Sequence, residues 1–237
     1  MANDVLFFGD PHGDYRSARR AAEMIRTENP PPPCVFLGDF DLEVPFEDAV
    51  GPLVARGCEI YHIHGNHEAD RVNWYDNLFS SSLAGGSLHG RVVDIGGLRI
   101  AGLGGVFKGR IWHPRDGDGI PRYRSREEFM HANSRNAWRG GLPLGLRATI
   151  FPEDYDHLAD LQADVLVTHE APSCHRYGFK EIDLLAEAMG AKLIVHGHHH
   201  EPYRSEIAGG IEVIGMGQAD VLRVDLDTFA VDCTPQR

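Results

Sequence analysis

A chain of 237 residues, 42% of them hydrophobic, can bury one sizeable core, and a single domain spanning residues 1–237 is the default for that length. No apolar run approaches the ~18–20 residues that a bilayer-crossing helix needs. A formal net charge of −12 argues against a protein that coats nucleic acid through a basic surface.

The opening is not that of a signal peptide, because Asp4 interrupts it and Val5–Phe8 runs straight into Gly9-Asp10. Val5–Phe8 reads as a buried strand. Asp14–Glu28 follows with helical spacing, Ala18, Ala21, Ala22 and Ile25 falling on one face, and Asn29 with Pro30–Pro33 stops it. Cys34–Leu37 is a second strand, Pro45–Arg56 a second helix with Gly57 past its end, and Glu59–Ile63 a third strand. The βαβαβ alternation implies a parallel sheet whose carboxyl-end loops carry the site.

The middle of the chain differs. Arg91–Ile95, Gly96-Gly97 and Leu98–Leu103 read as a hairpin. Residues 104–150 are rich in Gly, Pro and Arg with weak periodicity, which suggests an insertion or lid. Between Lys108 and Arg147 stand nine basic residues against four acidic ones, about +5 in an acidic chain. Asp164–Thr168 and Lys192–Val195 are strands flanking a helix at Ile182–Met189. Tyr203–Ile207, Ile211–Ile214 and Val221–Val224 form an antiparallel end. Four cysteines (Cys34, Cys58, Cys174, Cys233), none in a C-x-x-C pair, read as reduced, mostly buried thiols of a cytoplasmic protein.

Five of these strands end in metal-ligand chemistry: Asp10-Pro11-His12, Gly38-Asp39, Gly65-Asn66-His67-Glu68, Thr168-His169 and Gly197-His198-His199-His200. Carboxylate, carboxamide and imidazole together suit first-row divalent ions rather than thiolate-loving ones. In Asp-x-His and His-x-His, side chains two apart on an extended chain point the same way. Glycine before Asp39, Asn66 and His198 permits a sharp turn and leaves room for an ion.

D-x-H, GD, GNHE, a lone His after an apolar strand and GHxH, in that order, resemble the calcineurin-like metallophosphoesterase superfamily over residues 5–226. The resemblance implies a four-layer α/β/β/α sandwich, two facing mixed sheets with outer helices. It implies two divalent ions, Mn2+ first, with Fe, Zn or Ni as other choices. One ion would be held by Asp10, His12, Asp39 and His200, the other by Asp39, Asn66, His169 and His198, with Asp39 as the bridge. His196 and His199 fall outside that pattern, His199 pointing away. The implied reaction is hydrolysis of a phosphate mono- or diester by a metal-bridging hydroxide, with His67 steadying the phosphoryl oxygens and protonating the leaving group. Many relatives carry a second acid three residues after the GD aspartate to orient that histidine. Here the position is Leu42, flanked by Asp41 and Glu43, and the D-R-G continuation of the protein phosphatases is absent.

Blander readings stand beside these. His62, His64, His89, His113, His131, His157 and His175 read as ordinary core or surface residues, Asp10 and Asp39 as helix caps were the histidines missing, and Glu68 with Asp70 as a solvated or capping pair. Another class of function is a catalytically silent interaction scaffold on the same fold, which the intact ligand set disfavours. Among enzymes, a hydrolase of nucleotides or dinucleotide polyphosphates, a phosphodiesterase and a nuclease compete. The acidic balance disfavours a duplex nucleic acid partner. Arg110, Arg122, Arg124 and Arg126 are candidates to bind a small, nucleotide-like polyanionic substrate, because a guanidinium holds two phosphate oxygens at once.

Overall fold

The strand Val5–Phe8 is apolar at every position, so a sheet containing it must be covered on both faces. The computed structural model, which describes residues 4–225 and 228–232, shows that covering; Cys233 lies outside the described residues. In chain order the elements are β1 (Asp4–Phe8), α1 (Arg16–Met24), β2 (Cys34–Phe36), α2 (Phe46–Ala49), α3 (Gly51–Ala55), β3 (Ile60–His62), α4 (Val72–Phe79), β4 (Arg91–Ile95) and β5 (Leu98–Leu103). There follow α5 (Arg126–Asn133), α6 (Pro152–Ala159), β6 (Val165–Thr168), α7 (Lys180–Met189), β7 (Leu193–His196), β8 (Tyr203–Ile207), β9 (Ile211–Gly215), β10 (Val221–Asp225) and β11 (Val231–Asp232).

Two mixed sheets result. The first has the order β11-β10-β1-β2-β3, with β1, β2 and β3 parallel and β10 antiparallel to β1. The second has the order β4-β5-β6-β7-β9-β8, parallel from β5 to β9 and antiparallel at both edges. Alternation along the strands divides the core into three slabs. Val5, Phe7, Val35 and Leu37 meet Val165, Val167, Leu193 and Val195 between the sheets. Leu6, Phe8 and Phe36 turn outwards onto Ala18, Ala21 and Ala22 of α1 and Phe46, Leu53 and Leu78 of the following helices. On the far side Leu103, Leu166 and Ile194 pack on Phe129, Leu158 and Ile182. This is the four-layer sandwich. Among the described residues, no helix is long and apolar enough to cross a membrane.

Two expectations change. The helix expected over Pro45–Arg56 is broken into α2 and α3 at Val50. Pro52 explains the break, since its ring would strike the Asp48 carbonyl and it has no N–H to donate. The 104–150 segment is not a loose lid. Phe107, Ile111, Trp112, Phe129, Leu142, Leu146 and Ile150 all enter the outer slab of the second sheet. Its periodicity is weak because most of these side chains come singly from turns.

Candidate metal centre

Every expected ligand lies just beyond the carboxyl end of a parallel strand. Asp10 and His12 follow β1, Asp39 follows β2 and Asn66 follows β3; from the facing sheet, His169 follows β6, and His198 and His200 follow β7. The loops of both sheets therefore open onto one edge of the sandwich.

The seven side chains converge there in two groups around Asp39. In one group His12 Nε2 lies 3.0 Å from His200 Nε2 and 3.8 Å from Asp39 Oδ2, and His200 Nε2 lies 3.2 Å from Asp10 Oδ2. In the other, His169 Nε2 stands 3.4 Å from Asp39 Oδ2 and 3.4 Å from Asn66 Oδ1, with the His198 ring 4.8 Å from its own. His169 Nδ1 donates to the Leu37 carbonyl at 2.8 Å, so its Nε2 is the atom presented to the site.

These residues fit divalent cations. Asp10 Oδ1 is buried with no hydrogen-bond partner, while Oδ2 accepts the His198 N–H at 2.5 Å. Burial works against a charge on His169, yet Asp39 and Asp10 outweigh it and push this imidazole up to about 10. Burial would likewise raise Asp39, but His169 holds it well below the usual carboxylate range. A site that draws positive charge this strongly is one where a cation can replace the proton. Glycine gives the carboxylates their space: a Cβ on Gly65 would lie 2.2 Å from Asp39 Oδ1, and one on Gly197 2.2 Å from Asp10 Oδ1.

The ligands converge through turns, not through strand pleating. His12, Asp39, Asp41, His198 and His200 all have positive φ, between 44° and 70°, in the left-handed region. Side chains two apart in D-x-H and H-x-H thus meet because the chain coils past the strand end. Such backbone costs of order 1–3 kcal/mol per residue and accumulates at functional sites.

His67 stands at the rim, about a third exposed, with Nε2 3.9 Å from Asp39 Oδ2. Its ring lies parallel to Trp74 at 6.2 Å. The acid missing at Leu42 is supplied one residue earlier: Asp41 Oδ1 accepts from His67 Nδ1 at 2.8 Å, and Asp41 Oδ2 from His12 Nδ1 at 3.2 Å. Leu42 is buried in the outer core, and Glu43 instead accepts the Trp74 indole N–H at 2.9 Å.

Glu68 is not solvated. It is 1% exposed and accepts the N–H groups of Gly65 (2.6 Å), Phe40 (2.7 Å) and Asp39 (3.3 Å), tying the β2 and β3 loops together. Burial, with Asp39 nearby, pushes its carboxyl up to about 7. Its place directly after the ligand run was the only signal in the sequence. Asp70, its expected companion, lies at the site's open side.

A cleft of about 700 Å³ opens beside the second group, lined by Asn66 and His198 and by Lys108, Arg115, Glu170, Tyr177 and His199 among others. His199 lines this cleft and stands outside both groups of the pair. Of the basic segment, Lys108 and Arg115 reach this wall. Arg110, Arg122, Arg124 and Arg126 do not line it. Arg126 is bound to Asp154 and Glu153, both at 2.7 Å, Arg124 pairs with Asp156 at 2.8 Å, and the Arg110 guanidinium lies 5.4 Å from the Phe129 ring centre. His196 is buried at the end of β7 with Nε2 2.6 Å from the Tyr203 hydroxyl, outside both groups. His64 and His89 are stacked edge-on behind the site, and His62 is buried against Phe40 and Phe46.

Comparison with known proteins bears on the family and the fold. The chain is 42% identical over 214 residues to an uncharacterized protein of Haemophilus influenzae, covering 89% of this chain and 90% of that one. A crystal structure from Thermus thermophilus superimposes with a TM-score of 0.62 at 13% identity, covering 98% of both chains. The structure of a dimetal phosphatase from Danio rerio superimposes with a TM-score of 0.56 at 15% identity, covering 94% of this chain and 92% of that one. At those identities the two structures attest the fold alone. Residues 4–202 match the calcineurin-like phosphoesterase family model, and the chain belongs to that family.

Proposed function

We propose that the protein is a dinuclear metal-dependent phosphoesterase, holding one ion on Asp10, His12, Asp39 and His200 and the other on Asp39, Asn66, His169 and His198. One observation carries this reading: Asp39 Oδ2 lies 3.8 Å from His12 Nε2 and 3.4 Å from His169 Nε2, so one carboxylate oxygen stands between two sets of donors. Two cations bound there supply Lewis-acid charge for a phosphoryl group and a water acidified to near-neutral pKa. The protein's own part is orientation and proton transfer. Asp41 accepts from His67 Nδ1 and so turns Nε2 towards Asp39, where it can steady a phosphoryl oxygen and protonate a departing alkoxide. The nitrogen and oxygen ligands suit manganese, with iron, zinc or nickel as alternatives.

The substrate in this reading is a small phosphate ester. Lys108 and Arg115 on the cleft wall offer charge to a further anionic group, as on a nucleotide carrying more than one phosphate. The test is a panel of aryl monoester, bis-aryl diester and nucleoside polyphosphate, offered to chelator-stripped and manganese-reconstituted protein. The stripped protein should be inactive and the reconstituted protein active. Full turnover without metal would refute the proposal.

A further inference from the structure

Glu170 and His199 are unused by the metal pair, yet both are built into the wall of the cleft. Glu170 is 4% exposed, and its Oε1 accepts the Phe107 N–H at 3.0 Å. Among the described residues, no hydrogen bond reaches its other oxygen. A carboxyl in such a wall is favoured in its ionised form by a cation facing it, and Glu170 lines the cleft. The Nε2 of His199 is also buried and without a hydrogen-bond partner. Its ring cannot easily turn to find one, being stacked on His175 at 4.1 Å and 19° and wedged against His198 at 4.7 Å. Donor atoms of Glu170, His198 and His199 all lie within 4.8 Å of one another, beside open volume.

We propose a third divalent-cation site on the cleft side of the pair, held by Glu170 and His199 with His198 at its edge. It depends on the dinuclear reading only in sharing that edge. Because His198 is committed to the pair, the third ion has two protein ligands of its own and completes its shell with water or substrate oxygens. That favours a hard or borderline ion such as Mn2+ or Mg2+ and makes it the weakest bound of the three. Set in the cleft that Lys108 and Arg115 also line, it would receive a second phosphate of the substrate.

The test uses chelator-stripped full-length protein titrated with Mn2+, following bound ion by calorimetry and by electron paramagnetic resonance, in the wild type and in Glu170→Gln and His199→Phe. Phenylalanine keeps the stack on His175 while removing the donor. The wild type should take up three ions, the last at least tenfold more weakly than the others, and each variant should take up two with the affinities of the pair unchanged. Saturation of the wild type at two ions, or variants that still bind three, overturns the third site. Saturation of the wild type below two overturns the dinuclear reading as well, so the two failures are told apart.

Discussion

Replacing Asp41 with asparagine tests the part of the site where the sequence departs from the pattern its resemblance implies. The carboxylate accepts from His67 Nδ1 at 2.8 Å and from His12 Nδ1 at 3.2 Å. It therefore orients one expected acid and one expected ligand. A hydrogen bond to a charged group is worth about 1.5–3 kcal/mol. If that energy is spent wholly on the transition state, Asp41→Asn should lower kcat about 10–150-fold, at about 1.4 kcal/mol per decade. The lost partner of His12 should separately weaken one ion by about 10–100-fold, so turnover must be read at saturating manganese. His67→Ala should cost more, about 10²–10⁴ in kcat, with both ions retained. Since Asp41 acts through His67, the double variant should be no slower than His67→Ala alone once metal is saturating. A series of aryl esters adds a second readout: esters whose leaving groups have low pKa need no proton and should be partly spared. Asp41→Asn with full kcat, or losses that multiply in the double variant, would show that Asp41 does not position His67.

Three further expectations concern residues around the centre. Glu68→Ala leaves the N–H groups of Gly65, Phe40 and Asp39 without their acceptor, at about 1–3 kcal/mol each; denaturant unfolding should show a loss of about 3 kcal/mol or more, and a loss below about 1 kcal/mol would contradict the bracing role. His62 is buried and neutral, its imidazole held down to about 4 by burial. Below an unfolded value near 6.5 the unfolded chain takes up a proton that the native state refuses, so this stability is present at neutral pH and lost as pH falls from about 7 to 4. Wild type should lose about 3 kcal/mol more than His62→Leu over that window, and parallel pH slopes would refute it. Arg126, paired with Asp154 and Glu153, should act on folding and not on substrate: Arg126→Gln should lower stability by about 1–3 kcal/mol with KM for a polyanionic ester unchanged, whereas a raised KM at unchanged stability would return it to the cleft.

The order of ligand-bearing strand ends was legible in the sequence because each motif is local: an apolar run sets a strand, glycine sets its turn, and the donors follow within three residues. The same runs implied strands covered on both faces, but that the cover is a second sheet, making the sandwich, came only from the family resemblance. What lay beyond the sequence was decided by contacts between segments far apart in the chain. Asp41 and Glu43 flank Leu42 equally in sequence, and only the left-handed turn at Asp41, with φ of 51°, gives it His67 and His12 while Glu43 goes to Trp74. Glu68 read as a solvated or capping acid; its bond from Gly65 is local, but those from Phe40 and Asp39 come from a loop brought alongside by the pairing of β2 with β3. The arginines of residues 108–147 were equivalent by charge, and the packing of Phe107, Trp112 and Phe129 on the second sheet decided which of them meet acids of α6 and which reach the cleft. Local steric preference is written residue by residue, whereas the partner of a charge is fixed only when the apolar core sets which loops lie side by side.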